Sequence, residues 1–457
     1  MAEEKENIQF ELTKELTEQV EQLIENQKDK ELRKLLNDFH YADIAEILDE
    51  VNLEQATYVI KLLDSDTTSD ILMELDEDIR EKVLENLSTK EIAEEIEELD
   101  TDDAADIIAE LPEERQQEVI NKITDQDHKA EITELLAYDE DTAGGLMAKE
   151  LVKVYETWTV AGCMRRIRGQ AKDVKRVHSI YVVDKRDKLI GRLSLKDLIT
   201  AKSEQKIAEI ANPNVDFVFV DEHAEDVAKV MQKYDLEAIP VVNQHHILLG
   251  RVTIDDIVDV MKEVAEKDYQ LAAGISRDVE ADDSILKLTI ARLPWLLIGM
   301  FGGLGAASII EHFNQSMGDF IVLLSFVPLI QATAGNVGVQ SSAIVVQGLA
   351  NDSIDGNILK RLFKEFILGL VNGLAIACIG LLITHFIFGT PYVVSITIAI
   401  ALIAVIVMAA LIGTFIPIFL DKRGIDPAVA TGPFITTSND VFGILLYFVI
   451  AKAILGF

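Results

Sequence analysis

One acidic residue sits where the surrounding sequence gives it no counter-charge. In PAVATGPFITTSNDVFG, Thr436, Thr437, Ser438, Asn439 and Asp440 follow Pro433 inside an apolar stretch, and Asp440 is expected near mid-span. An ionised Asp at bilayer depth costs roughly 2.5–3.5 kcal/mol on insertion scales and faces a partner or water. The apolar stretches supply no Lys or Arg suited to neutralise it. That leaves a bound cation, or a protonated Asp hydrogen-bonded to a neighbouring helix. A second polar run, PLIQATAGNVGVQSS, carries Gln331, Asn336, Gln340, Ser341 and Ser342. There Asn336 suits a cation ligand and a packing amide about equally. Gly335, Gly338, Gly432 and Pro433 are expected to loosen their helices and free carbonyls to line a cavity. Carboxylate, amide and carbonyl oxygens are hard ligands that suit Mg²⁺ or Ca²⁺, and no His or Cys accompanies Asp440.

The elements that must hold these residues are five apolar segments, at about 288–310, 320–349, 366–389, 392–420 and 428–456. Each is long enough to cross a hydrocarbon core, which needs about 20 helical residues. Lys287 and Arg292 precede the first, Lys360, Arg361 and Lys364 separate the second from the third, and Lys422 and Arg423 separate the fourth from the fifth. The other two connections hold no Lys or Arg. The positive-inside rule then puts the N-terminus in the cytoplasm and the C-terminus outside. Small residues four apart in GMFGGLGAAS (Gly299 and Gly303, Gly302 and Ala306) suit close helix packing. The start, MAEEKENIQF, lacks the basic and apolar regions of a cleaved signal, and two distant cysteines, Cys163 and Cys378, exclude a disulfide framework.

Charge is concentrated at the other end. Residues 1–150 hold 46 Asp/Glu against 14 Lys/Arg, a net of −32 out of −36 for the 457-residue chain. Such a segment repels nucleic acid and anionic lipid and attracts cations. From Leu53 to Thr124 it repeats every twelve residues. The eighth position reads Ile60, Leu72, Leu84, Ile96, Ile108 and Ile120, and the eleventh Leu63, Leu75, Leu87, Leu99, Leu111 and Ile123. Each unit reads as a short capped helix and a turn, unable to bury its apolar face alone. Stacking makes an α-superhelical solenoid with one core and an acidic exterior.

A second repeat has an offset of 59 residues. SIYVVDKRDKLIGRLSLKDLI (179–199) aligns without gaps on AIPVVNQHHILLGRVTIDDIV (238–258). Each copy reads strand, turn, strand, capped helix, with a further helix before it at roughly 159–170 and 224–234. The α+β pattern resembles a tandem CBS-domain pair. In that family a Ser/Thr-x-x-Asp holds a nucleotide ribose, which matches Ser194 with Asp197 and Thr253 with Asp256. The same spacing also makes a capping box, with no ligand at all. After Thr253 one helix, with no Pro or Gly to interrupt it until Gly274, is expected to run on and reach the first span near Arg292. It would couple the pair to the membrane mechanically.

The order of parts, with YDEDTAGGLM (138–147), AGNVGVQSS (334–342) and DPAVATGPFITTSND (426–440), resembles the MgtE magnesium channels over nearly the whole chain. The resemblance divides the chain into an N-terminal helical extension (1–50), an acidic repeat domain (51–140), CBS domains at 141–204 and 205–262, a connecting plug helix (263–285) and a five-helix transmembrane domain (286–457). It implies a homodimer in the membrane, with Asp440 and Asn336 lining the pore and a largely hydrated Mg²⁺ held there. It also implies that Mg²⁺ between the acidic domain and the CBS pair closes the channel and that ATP on the pair tunes closure. Asp256, Asp259 and Asp268 match family sensor or plug-helix acids, and Asp102, Asp103 and Asp106 in TDDAAD are their counterparts in the repeat domain. Two positions depart from the family: VAEKD (264–268) is less acidic than its usual EATED form, and Gln347 stands where an arginine is usual. A proton- or sodium-coupled carrier of divalent cations such as Mg²⁺, Co²⁺ or Mn²⁺ is the alternative. No Walker-type loop or nucleophile constellation supports an enzyme.

Overall fold

The computed structural model describes residues 10–171, 174–277, 279, 283–350, 354, 357–430 and 432–457. Residues 1–9 of the expected N-terminal extension, and 278 and 280–282 of the expected plug segment, lie outside them. Contacts divide the chain into two units, Met1–Met261 and Lys262–Phe457.

The first unit opens with α1 (Lys14–Glu25), α2 (Asp29–Leu36), α3 (Tyr41–Glu50), α4 (Leu53–Leu62), α5 (Ser65–Glu74), α6 (Glu77–Asn86), α7 (Thr89–Ile96), α8 (Thr101–Glu110), α9 (Glu113–Ile120) and α10 (Gln126–Leu135). The twelve-residue pitch is kept upstream of Leu53, because α2 and α3 start at 29 and 41. Every eighth-position residue of the six units is buried, and all eleventh-position ones except the half-buried Leu63. The eleventh position is not on the helix face, however. Leu63, Leu75, Leu87 and Leu111 are C-caps in extended conformation, and they fold the turn back onto the core. Caps repeat along the solenoid: Asn52 with Gln55, and Ser88 with Glu91, form full capping boxes.

One cation braces the stack. Arg80, at the start of α6, reaches the Glu110 carboxylate at the end of α8 and donates to the carbonyls of Met73 (3.3 Å) and Leu75 (3.4 Å). Both partners of this pair are less than one-fifth exposed. Arg80→Ala leaves Glu110 half-buried and unpaired, and it is expected to remove about 2–4 kcal/mol of local stability. Hydrogen exchange of the full chain at α6 and α8 would accelerate accordingly.

Two three-stranded sheets follow. The first has β1 (Val152–Tyr155) parallel to β2 (Ile180–Val183), which is antiparallel to β3 (Leu189–Leu193). The second repeats this with β4 (Val218–Phe219), β5 (Ala238–Val242) and β6 (Leu248–Thr253). Helices α11 (Val160–Gln170), α12 (Leu195–Thr200) and α13 (Ile207–Ile210) belong to the first copy. α14 (Ala224–Tyr234) and α15 (Ile254–Ala272) belong to the second. Tyr181, Val183 and Leu248 form a small core between the copies.

YDEDTAGGLM joins the solenoid to the second copy rather than to the adjacent first. Ala143 N donates to Glu222 O (2.8 Å), Gly144 N to Val220 O (2.9 Å), and Ala148 pairs with Arg251. Gly145 is required there, since a Cβ would lie 2.6 Å from the Asp139 carbonyl. One apolar core consequently runs from Val20 through Met147 to Ile257.

The second unit has five helices long and apolar enough to span a membrane: Ile285–Asn314, Gly318–Ala350, Ile358–Ile387, Tyr392–Asp421 and Pro433–Leu455. Their α-helical parts are α16 (Ile285–Asn314), α17 (Val327–Ala350), α18 (Ile358–Leu382), α19 (Tyr392–Asp421) and α20 (Pro433–Leu455). α19 is the central one, packed on α17, α18 and α20, while α16 packs on α20 with most of its surface outward.

The expected unbroken helix into the first span is not found. α15 ends at Ala272, Gly274 takes a left-handed φ of 81°, and the next helix begins only at Ile285. Gly274 abuts the Pro433 ring and Gly432 abuts the Ala272 carbonyl, so the end of α15 is seated on the start of α20. Glycine is needed at both positions because a Cβ would overlap the neighbour.

Candidate metal centres

Asp440 is the eighth residue of α20 and half-buried. The helix starts at Pro433 with Gly432 as its N-cap, so Asp440 lies in the first third of the span rather than at its middle. Its neighbour Asn439 is fully buried, and neither amide atom has a hydrogen-bond partner among the described residues. The same holds for the hydroxyls of Ser342 on α17 and Thr414 on α19. On α18, buried Glu365 accepts a 2.7 Å hydrogen bond from Ser341 on α17. Polar groups from four helices are thus enclosed in this unit, an arrangement that lipid-facing packing would not reward.

Close backbone approach makes this possible. Gly338 faces Asn439 and Ile435, Gly335 faces Thr436, and Gly413 of α19 abuts the Gly338 carbonyl. The expectation that Gly335 and Gly338 unwind their helix is corrected: α17 is continuous from Val327 to Ala350. Absence of a side chain there lets α19 and α20 approach instead of freeing carbonyls. Asn336, next to Gly335, is exposed on the surface of the single chain.

The acidic residues of the first unit form a tighter group. Asp102, Asp103 and Asp106 on α8 face the start of α15, where Asp256 sits. Burial, then Asp103, Asp256 and Asp100, push the Asp102 carboxyl well up. Burial, then Asp256, Asp100 and Asp106, bring Asp103 to about 7 against the pull of Lys175. Burial, Asp256, Glu140 and Glu110 bring Asp106 to about 7, with Arg80 opposing. Asp106 retains an exposed side chain, so solvent screens these charges and only its direction enters the argument. Asp256 is raised to about 6, chiefly by burial, with Asp255 and Asp259 adding and Thr253 opposing. The nearby cations are Lys175, held by Asp70 at 3.0 Å, the buried Arg251, and Arg80, already paired with Glu110. Three of them cannot neutralise such a crowd of carboxylates.

Asp259 is exposed one turn beyond Asp256, and half-buried Asp268 lies further along α15 in the second unit. Among the described residues one further trio, His128, Glu131 and Glu150, has ligand atoms within 4.8 Å of one another. His128 Nε2 is 3.1 Å from the Ile96 carbonyl, and Glu150 accepts from Thr101 Oγ1 at 2.8 Å. This trio, Thr414 and Glu365 were missed by sequence reasoning, which named Asn439 only among the polar residues beside Asp440. His128 and Glu150 are far apart in the chain, and a single buried amide carries no periodic signal.

The two Ser/Thr-x-x-Asp pairs are both engaged with themselves. Ser194 Oγ donates to Asp197 (2.6 Å) and accepts from Asp197 N (3.1 Å), while Thr253 Oγ1 donates to Asp256 (2.8 Å). Their electrostatics diverge. The hydrogen bonds from Ser194 hold the Asp197 carboxyl low, whereas burial raises Asp256. Ser194 and Asp197 are exposed, and Thr253 is buried.

Comparison with known proteins extends over all these parts. Residues 327–450 match the family model described as MgtE, divalent cation transporter. Residues 39–141 match the MgtE intracellular N domain, and 143–204 and 207–263 match the CBS domain. The chain is 38% identical to the magnesium transporter MgtE of Enterococcus faecalis over 320 residues, 70% of each chain. It is 36% identical to that of Thermus thermophilus over 324 residues, 70% of this chain and 72% of the relative. The cytosolic domain of the Mg²⁺ channel MgtE, crystallised in complex with ATP, is 35% identical with a TM-score of 0.51, covering 53% of this chain and 99% of that one. The soluble part of a magnesium transporter is 29% identical with a TM-score of 0.50, over 55% and 98%. With an acidic helical domain, a CBS pair and four of its five membrane-length helices matched, this multi-pass membrane protein belongs to the MgtE family of magnesium transporters.

Proposed function

We propose that the chain is a Mg²⁺-selective channel-like transporter for magnesium uptake, closed by cytoplasmic Mg²⁺ bound among Asp102, Asp103, Asp106, Asp256 and Asp259. The observation that carries this reading is the apposition of the α8 acids to Asp256, with several carboxyls raised toward neutrality by burial and like charge. Hard divalent cations relieve that repulsion best, and Mg²⁺ does so while keeping several of its waters. α15 carries Asp256 near one end and Asp268 near the other, and ends against Gly432 and Pro433 of α20. A shift at its acidic end would therefore reach the helix that bears Asp440, as a change in the population of open and closed forms. Asp440, with Asn336, is the pore site for a largely hydrated Mg²⁺.

The working unit is a homodimer in the cell membrane, N-terminus cytoplasmic and C-terminus outside. Exposed apolar Leu195 and Ile199 on α12 and Val258 and Met261 on α15 give the CBS pair a face that a second copy would cover. ATP on the CBS pair, with Ser194, Asp197, Thr253 and Asp256 as its ribose contacts, would tune closure. Thr253 and Asp256 would have to exchange their mutual hydrogen bond for the ligand. The trio His128, Glu131 and Glu150 is a further cation-ready cluster in the same unit.

In proteoliposomes, influx is expected to follow the Mg²⁺ gradient and the membrane potential and to fall as Mg²⁺ on the Asp102 side rises through millimolar levels. Uphill accumulation abolished by a protonophore at clamped potential would replace this reading with the coupled carrier. Influx indifferent to Mg²⁺ on that side would remove the gating part alone.

A further inference from the structure

At one end of the membrane unit, where α17 ends, α18 begins and α19 ends, there is a cavity of about 390 Å³. Its lining includes Lys360, Arg361 and Lys364 from the first two turns of α18 and Lys422, the residue that caps α19. Asp421 is the sole acid among the lining residues, and none of the four cations forms an ion pair among the described residues. Three cations stand at the N-terminal end of a 25-residue helix, the end whose free N–H groups already favour an anion and disfavour positive charge. The Arg361 Nε is buried with no hydrogen-bond partner. An orphaned guanidinium N–H is costly unless a ligand accepts from it. The rest of the wall is Asn357, whose side chain caps the start of α18, and the apolar Leu349, Ile354, Ile358 and Ile418.

Topology signals need only cations near a span end, and they require neither a cavity nor a buried unpartnered Nε. A headgroup that combines an anionic phosphate with adjoining acyl chains satisfies the charges and the apolar wall together. We propose that this cavity binds the phosphate of an anionic phospholipid, with Arg361 and Lys422 as its principal cationic contacts and Lys360 and Lys364 beside them. The lipid ties the ends of α17, α18 and α19 into one block.

The test uses the full chain in nanodiscs of phosphatidylcholine, alone or mixed with phosphatidylglycerol. The mixture is expected to raise the thermal midpoint by about 3 °C or more. After washing in neutral detergent, mass spectrometry is expected to find phosphatidylglycerol retained on the chain. Arg361→Gln should lower that retention about fivefold, the factor expected per cation near a lipid phosphate. Lys422→Gln, from a different helix, should do the same and serves if Arg361→Gln fails to fold. Arg292→Gln, a cation on α16 outside the cavity, should leave retention unchanged. Equal retention by wild type, Arg361→Gln and Lys422→Gln would overturn the proposal. So would an equal rise of the midpoint when inorganic phosphate is added to phosphatidylcholine nanodiscs, which would assign the cavity to a free anion.

Discussion

Asp440→Ala is expected to lower Mg²⁺ influx by about a hundredfold or more in proteoliposomes, read with an internal Mg²⁺-sensitive dye. A carboxylate about 4 Å from a unit charge contributes ~4 kcal/mol at an effective dielectric near 20, and a retained water shell reduces this without abolishing it. Half of that value is already more than a tenfold change in rate, and the ion is divalent. Folding should survive, because removing an ionised side chain from a span relieves roughly 2.5–3.5 kcal/mol of insertion cost. A normal thermal midpoint with lost flux is therefore the signature of a pore ligand. Asp440→Asn keeps the shape and should fail nearly as badly, which separates charge from packing. Asn336→Ala, at an exposed position, should cost less. Wild-type influx in both Asp440 variants would sink the assignment.

The second large effect concerns protons and Mg²⁺ at the α8–α15 cluster. Burial is the main cause that raises Asp103 to about 7 and Asp256 to about 6 from an ordinary value of 3.8, and it raises Asp106 as well. For a raised carboxyl, the contribution to the compact form is fully present below pH 3.8 and is lost as pH rises through about 6–7. At low Mg²⁺, acidification from neutral pH should accordingly compact the first unit and slow protease cleavage around residues 125–150. Millimolar Mg²⁺ should protect the same region at neutral pH and flatten the pH dependence, since the ion replaces the protons. The double variant Asp103→Asn with Asp106→Asn mimics protonation and should be protected at every Mg²⁺ concentration. Cleavage that ignores Mg²⁺, pH and the double variant alike would remove the cluster from the gating mechanism.

Much of this was legible because it is periodic or compositional. The twelve-residue recurrence placed six helices whose apolar ridges had to stack, and the 59-residue offset placed two equal α+β copies. Runs longer than about 20 apolar residues had no other solvent than lipid. Family motifs extended that reading to the membrane unit. What failed had a local cause. Glycines inside α17 look like helix breakers when read in isolation. Beside α19 and α20, their missing side chains are packing space. The linking helix had no local stop before Gly274, but whether the chain turned there depended on Pro433, distant in sequence.

Asp440 shows where the division falls. Sequence alone determined that an acid stands in an apolar span with no nearby Lys or Arg, that oxygen-bearing side chains precede it, and that residues 1–150 carry a net charge of −32, because type and spacing are local properties. Only the tertiary structure decided that Asp102, Asp103 and Asp106 meet Asp256, that Asn439 and Thr414 are enclosed without hydrogen bonds, and that α15 ends on the helix bearing Asp440. Those are contacts between segments far apart in the chain. Their energies depend on distance and burial, which no periodicity encodes.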